Sequence, residues 1–252
     1  MKTLVNKMNI LPLIGITIDG HTPETSEFAK QYSDYYWYAM RSACIDAVIA
    51  AGAMPVLLPH DTNLIPHYVK FLDGLLISGG GHDTPPKYFG EEEIHPKSRI
   101  KERRSHFEKE MFYAFYATKK PILGICGGMQ LIAALCGGKL YQYLPEYEKF
   151  HDHSQDTPRE QPFHSITCVK DTQLYEIFKK NAEPIAVNSV HRQGVEYAGH
   201  LTPCAYADDG LIEAFEDKNH PFCIGVQWHP EYHVTEHDHY LFDSFIEKSK
   251  GQ

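Results

Sequence analysis

Pro121-Ile122-Leu123-Gly124-Ile125-Cys126-Gly127-Gly128-Met129-Gln130 joins one apolar run to another, Leu131-Ile132-Ala133-Ala134-Leu135. The first run is short and bounded by proline and glycine; the second is long enough for helical turns. Together they read as a buried strand, a tight turn and a helix. Cys126 then sits on the turn, in the layout of a nucleophile elbow, G-x-S-x-G, with cysteine in place of serine. Flanking glycines let the backbone bend sharply, and the helix aims its positive end at the sulfur. A buried cysteine at an ordinary strand–helix junction fits the same residues, and this motif alone leaves both readings open.

A second motif stands near the C-terminus, Val226-Gln227-Trp228-His229-Pro230-Glu231. Proline disfavours helix for the residue before it, which predicts His229 in an extended segment. Residues two apart in such a segment project to the same side, so His229 and Glu231 lie side by side. A carboxylate that orients an imidazole is the base half of a Cys-His-acid triad. Cys126 and His229 lie far apart in the chain, so only the fold can join them. His-Pro-Glu alone occurs by chance at strand ends; after the elbow it gains weight.

Working outward, the first half alternates strand-like and helix-like segments. Residues 13–18, 54–58 and 74–78 read as buried strands, and the third runs into Gly79-Gly80-Gly81. Residues 35–51 and 105–118 read as helices; Gly52 stops the first, and Phe107, Met111, Phe112 and Phe115 stripe the second. This rhythm predicts an α/β fold, a mostly parallel sheet flanked by helices on both faces. The second half adds short strand-like runs at 164–169, 185–187, 194–197, 211–216 and 222–227, then an amphipathic helix over 237–248. These runs predict extra short antiparallel strands. With no repeat or linker, one domain over residues 10–250 is the expectation. Sites in such sheets lie at the carboxyl ends of strands, where the glycine turn, Cys126 and His229 all fall.

The chain has 252 residues, 42% of them apolar, enough for a sizeable core. Its 24 basic against 33 acidic residues give a net charge of −9. That balance disfavours nucleic acid as the main partner and offers no basic patch to an anionic membrane. No apolar run approaches the length of a membrane span, and residues 10–18 read as a first strand rather than a signal segment. Six scattered cysteines form no disulfide framework, with Cys44, Cys168 and Cys223 in apolar runs as small core residues. A reducing, cytoplasmic setting is the expectation.

With these residues placed, the chain resembles the class I glutamine amidotransferase-like superfamily, whose fold is flavodoxin-like, and within it the peptidase C26 group that includes γ-glutamyl-γ-aminobutyrate hydrolases. The resemblance runs in order through Pro12 to Thr17, Asp73 to Gly80, the elbow, Gly137 to Gln142, Val187 to His191, Asp209 to Ala214 and Gly225 to Glu231. It implies that Cys126 attacks the side-chain amide of a small γ-glutamyl compound, giving a thioester. His229 is the implied base and Glu231 its orienter. Backbone N–H groups of Gly80 and Gly127 form the implied oxyanion hole. Gln130, Ser189 and His191 are candidates for holding the glutamyl head. No cofactor is implied. Two departures bear on specificity: Gly127 stands where many members carry arginine, and His191-Arg192 stands where many carry paired histidines. Arg192 is therefore a further candidate, as a carboxylate fork.

Other readings of the same chain are a glutaminase subunit that hands ammonia to a separate chain, a general peptidase, and a catalytically silent homologue. The sixteen histidines raise a metal reading. His151, Asp152 and His153 form one group; His233, His237, Asp238 and His239 form another, with helix-ligand spacing between 233 and 237. No finger pattern joins them and the implied chemistry needs no metal, so solvated loop histidines are the expectation. The polar segment 82–104 and the stretch 20–33 read as site rims. Tyr35, Tyr36 and Trp37 suit a core as well as the interface of a homo-oligomer, and the sequence leaves that open.

Overall fold

The structure, a computed structural model, describes residues 10–22, 31 and 34–251. The expectation that 20–33 lines the site falls mostly outside those residues. The strands are β1 (Leu13–Thr17), β2 (Asp19–His21), β3 (Trp37–Ala39), β4 (Met54–Leu58), β5 (Gly74–Ile77), β6 (Ile122–Ile125) and β7 (Lys139–Tyr141). There follow β8 (His164–Cys168), β9 (Ile185–Val187), β10 (Gly194–Tyr197), β11 (Thr202–Ala207), β12 (Ile212–Glu216) and β13 (Cys223–Val226).

One sheet runs in the order β4-β1-β5-β6-β13-β12-β11-β8-β9. The five strands from β4 to β13 are mutually parallel. From β13 onward every pairing along that order is antiparallel. The parallel strands are apolar throughout because both faces are covered. On β5, Leu76 faces one core cluster with Ala47, Val48, Phe242 and Phe245, while Leu75 and Ile77 face another with Phe107, Met111 and Phe115. Helices Ser42–Ala50 and Glu236–Ser249 cover the first face. Helices Glu102–Tyr116 and Gly127–Leu135 cover the second. This is the α/β fold with the antiparallel extension that the sequence predicts.

The differences are local. The helix expected over 35–51 begins only at Ser42, because Trp37–Ala39 pairs with β2 as a two-stranded ribbon. The Tyr38 hydroxyl accepts the His60 N–H at 2.9 Å and fixes that ribbon to the sheet. Tertiary pairing has overridden local periodicity there. Strand β11 escapes the sequence reading because Pro203 interrupts it; its pairing with β12 shifts register beside that proline. Helices Ile65–Phe71 and Gln173–Ile177 are too short to show a period. All six cysteines are buried free thiols. Among the described residues no helix is long and apolar enough to cross a membrane.

Candidate active site

Cys126 follows β6 and caps helix Gly127–Leu135 with φ 51° and ψ −107°. A non-glycine residue rarely adopts this backbone conformation, and it is held by the Cys126 N–H donating to Val226 O at 2.8 Å. The turn is possible because Gly128 packs on the neighbouring strand: a Cβ there would stand 2.0 Å from Ile77 O. The sulfur thus points off the sheet at the carboxyl ends of β5, β6 and β13, as the elbow reading requires.

His229 follows β13. Its backbone N–H donates to Asn188 Oδ1 at 2.8 Å, and its carbonyl accepts from Asn188 Nδ2 at 3.1 Å. Its Nδ1 lies 2.9 Å from Glu231 Oε1. The pair forms, but not through an extended segment. Pro230 starts a 3-10 turn over Pro230–Tyr232, because its fixed φ suits a first helical position. Nε2 has no hydrogen-bond partner among the described residues and is turned to the Cys126 sulfur. Burial works against charge on His229, but the Glu231 carboxylate and the neighbouring Cys126 side chain overcome it and raise the imidazole. Glu231 is also buried, yet the facing His229 charge, with the Cys44 thiol beside it, holds it below the usual carboxylate range.

The glycine turn lies against both groups. A Cβ at Gly79 would stand 3.2 Å from Cys126 Cβ and 3.2 Å from His229 Cε1. The fully buried Arg104 donates from one nitrogen to Ser78 O at 2.8 Å and Gly79 O at 3.1 Å. Because the peptide is planar, a Gly79 carbonyl turned to Arg104 turns the Gly80 N–H the other way. Gly80 N accordingly lies beside Gly127, 3.9 Å from where a Gly127 Cβ would sit. Arg104 is itself held by Glu108 at 2.8 Å and Asp19 at 3.3 Å. Its guanidinium keeps Glu108 near 2 although burial alone would raise that carboxyl.

A cleft opens around Cys126 in two lobes. The larger, about 590 Å³, takes in Met40, Cys44, Asp19 and Lys101. The smaller, about 170 Å³, takes in Cys126, Gly127, Gln130, His191, Arg192 and Arg159. Arg41, Arg99, Gly80 and His229 border both. Segment 82–104 supplies part of this rim through Asp83, Arg99 and Lys101.

The sequence-derived candidates divide accordingly. Cys126, His229, Glu231, Gly80 and Gly127 come together. Gln130 reaches the smaller lobe, although its Nε2 donates to Gln193 O at 2.7 Å and Gln227 Oε1 at 3.1 Å. Arg192 lies on the rim and donates to Asp83 Oδ2 at 3.0 Å. His191 is on the wall, with burial lowering its imidazole to about 4. Ser189 does not line the cleft: it is fully buried and its hydroxyl donates to His153 O at 2.8 Å. His153 is not a solvated loop histidine either, being buried at 4% exposure. His233 and His237 share no helix face, because His233 precedes the helix that starts at Glu236; its ring stacks on His239 at 4.0 Å. Asp238 is engaged by the Trp228 indole at 3.0 Å and by the helix cap. The sequence reading missed Asn188 and Arg104. Asn188 lies inside the motif from Val187 to His191 already singled out, where no role is read for it; Arg104 carries no local signal, since only folding brings its helix to the turn.

Comparisons with known proteins fit this architecture. The family model for peptidase C26 matches residues 12–231. A glutamine amidotransferase-like protein of Rickettsia prowazekii is 32% identical over 281 residues, covering 95% of this chain and 98% of that protein. A γ-glutamyl-γ-aminobutyrate hydrolase of Escherichia coli K12 is 30% identical over 251 residues, covering 93% of this chain and 92% of that protein. A Thermoplasma acidophilum crystal structure, described as a component of GMP synthase, superposes with a TM-score of 0.60 over 95% of this chain and 94% of its own, at 18% identity. That last likeness is one of fold.

Proposed function

Since the chain belongs to the peptidase C26 family of glutamine amidotransferase-like hydrolases, we propose that it cleaves the γ-glutamyl amide bond of a small compound whose leaving amine is larger than ammonia, with γ-glutamyl-γ-aminobutyrate as the leading substrate. The observation that carries this reading is the strained Cys126 turn, with an imidazole–carboxylate pair and a glycine turn packed against it.

In the proposed reaction the Cys126 sulfur attacks the γ-carbonyl carbon and its proton passes to His229 Nε2. Glu231 keeps the ring oriented and offsets the imidazolium charge. The negative charge that develops on the carbonyl oxygen meets the Gly80 and Gly127 N–H groups. His229 returns the proton to the departing amine, and water then opens the thioester, releasing glutamate. The glutamyl part is assigned to the smaller lobe, where Arg159 and Gln130 are within reach of its head group. The amine is assigned to the larger lobe. Its volume favours an organic amine over ammonia, and Arg41 and Arg99, whose guanidinium groups form no ion pair among the described residues, favour one that carries an anionic group.

The test is glutamate release by the purified protein from γ-glutamyl-γ-aminobutyrate, γ-glutamyl-putrescine and glutamine, with Cys126→Ala as control. Release that vanishes in the variant and is fastest with the carboxylate-bearing amine supports the reading. Release that survives in Cys126→Ala refutes the mechanism. Preference for glutamine transfers the assignment to the ammonia-donating half of a two-chain enzyme.

A further inference from the structure

Behind the wall of the smaller lobe lies a buried cluster that the amide chemistry does not use. Two loops zip together there: His191 N–H donates to His153 O at 2.9 Å, and Ser154 bridges Val190. This brings His153 and His191 beside each other, over Glu213 of β12 and His164 at the start of β8. The four side chains are 3%, 2%, 0% and 10% exposed, in that order.

Each histidine has one ring nitrogen committed to an acceptor. His153 Nε2 lies 2.8 Å from Asp209 Oδ2, His164 Nδ1 3.2 Å from Ser165 O, and His191 Nδ1 3.0 Å from Gln193 O. A carbonyl or carboxylate accepts a proton, so these contacts assign the N–H to the committed nitrogen. The other nitrogen of each ring is then a lone pair. All three of those nitrogens, and both Glu213 oxygens, are buried with no hydrogen-bond partner among the described residues. They nevertheless face one another. His153 Nδ1 is 3.7 Å and His191 Nε2 3.5 Å from Glu213 Oε1, and His164 Nε2 is 3.8 Å from Oε2. Lone pairs converging on a carboxylate at these spacings repel unless a proton or a metal cation stands between them.

We propose that His153, His164 and Glu213 bind a divalent transition metal, zinc being the best match, with His191 facing the same point from the wall of the cleft. The three named side chains offer ligand atoms within 4.8 Å of one another. Zinc–ligand bonds of about 2.0–2.1 Å in a tetrahedron put ligand atoms about 3.4 Å apart, close to the separations above. Imidazole with carboxylate suits zinc better than the oxygen-seeking magnesium or calcium. The committed nitrogens supply the outer contacts that hold metal-binding imidazoles in orientation, most clearly the Asp209 carboxylate on His153. The metal has no step in amide cleavage. It ties the 151–155 loop to β8 and β12, and through His191 and Gln193 it steadies the wall against which Gln130 is anchored.

The test uses the full chain carrying Cys126→Ala, so that the elbow thiol cannot take the metal. The protein is stripped with a chelator, given zinc chloride and passed through a desalting column, and its zinc is counted by mass spectrometry. The expected result is one zinc per chain, a higher melting temperature, and protection of His153 and His164 from carbethoxylation on peptide mapping. Cobalt(II) in place of zinc should give the visible bands of four-coordinate nitrogen–oxygen ligation without sulfur charge transfer. The His153→Ala/His164→Ala variant should retain no zinc. Absence of stoichiometric zinc in the Cys126→Ala protein overturns the proposal. So does zinc that leaves His153 and His164 open to modification. The last readout needs no variant at the cluster, so a misfolded double variant does not protect the idea.

Discussion

The Arg104 guanidinium donates to Gly79 O at 3.1 Å, and that contact decides which way the Gly80 N–H points. The arginine never lines the cleft, yet it sets the direction of a donor that the proposed reaction needs. Arg104→Lys keeps a positive charge beside Glu108 but loses the fork that holds Glu108 through one nitrogen while another reaches Ser78 O and Gly79 O. We expect kcat to fall, by at most the roughly 10²- to 10³-fold that one oxyanion donor is worth, with KM little changed. Steady-state kinetics checks this, with circular dichroism confirming the fold; an unchanged kcat in a folded variant removes the role. Arg104→Ala should instead lose stability, by up to about 3–5 kcal/mol, because the buried Glu108 loses its guanidinium and keeps only the Thr17 hydroxyl and His82 beside it.

The His229–Glu231 pair should give stability a pH window. Glu231 is lowered from 4.5, so its contribution is present above 4.5 and is lost as pH falls through the folded value. His229 is raised from 6.5 toward about 10, so its contribution is full below 6.5 and is lost as pH rises toward 10. The pair therefore stabilises most between 4.5 and 6.5. Denaturant unfolding of wild type and Glu231→Gln across pH should show the largest difference there, shrinking on both sides. A difference that grows from pH 7 to 9 contradicts the assignment.

Gly128 should tolerate no side chain. A Cβ would stand 2.0 Å from Ile77 O, a backbone atom that cannot swing aside. Gly128→Ala must push the elbow helix off β5, and overpacking of this kind costs about 1–3 kcal/mol or more. Gly81→Ala is the control, since a Cβ there meets nothing within 4 Å. Thermal unfolding should separate the two variants by several degrees, and equal melting temperatures would mean that the helix has room to move.

Why the elbow was legible and the rest of the site was not follows from distance along the chain. Cys126 announces itself because strand, turn and helix are contiguous, so the pattern and the conformation share one stretch. His229 and Glu231 were paired correctly for an incomplete reason: the sequence showed the proline but not that it opens a 3-10 turn. Asn188 acts on His229 across 41 residues and Arg104 on Gly79 across 25; a motif contains the first without revealing its role, and nothing local marks the second. The sequence reads Ser189 as a contact to the glutamyl head and His153 as a solvated loop histidine because polarity is local and burial is not. Each is buried by a loop–loop bridge, Ser154 to Val190, that joins segments with no periodicity of their own. The helix that failed over 35–51 failed for the same reason, since its first residues pair with a distant strand.

Selectivity between leaving amines should reside in Arg41. Arg192, the fork suggested by the sequence, is engaged by Asp83 at 3.0 Å, and Lys101 by Asp19 at 2.7 Å. Arg41 borders the larger lobe as well as the smaller, and its guanidinium forms no ion pair among the described residues. Arg41→Ala should therefore lower kcat/KM for γ-glutamyl-γ-aminobutyrate by about tenfold or more, the loss of one charged hydrogen bond of about 1.5–3 kcal/mol. Glutamine, whose leaving ammonia does not reach that lobe, should be turned over as before. Arg159→Ala should act on the other half, raising KM for every γ-glutamyl compound alike. Parallel kinetics on the two substrates checks both. If Arg41→Ala slows glutamine as much as the larger amide, the arginine serves the glutamyl half or the fold, and the assignment of the lobes must be exchanged.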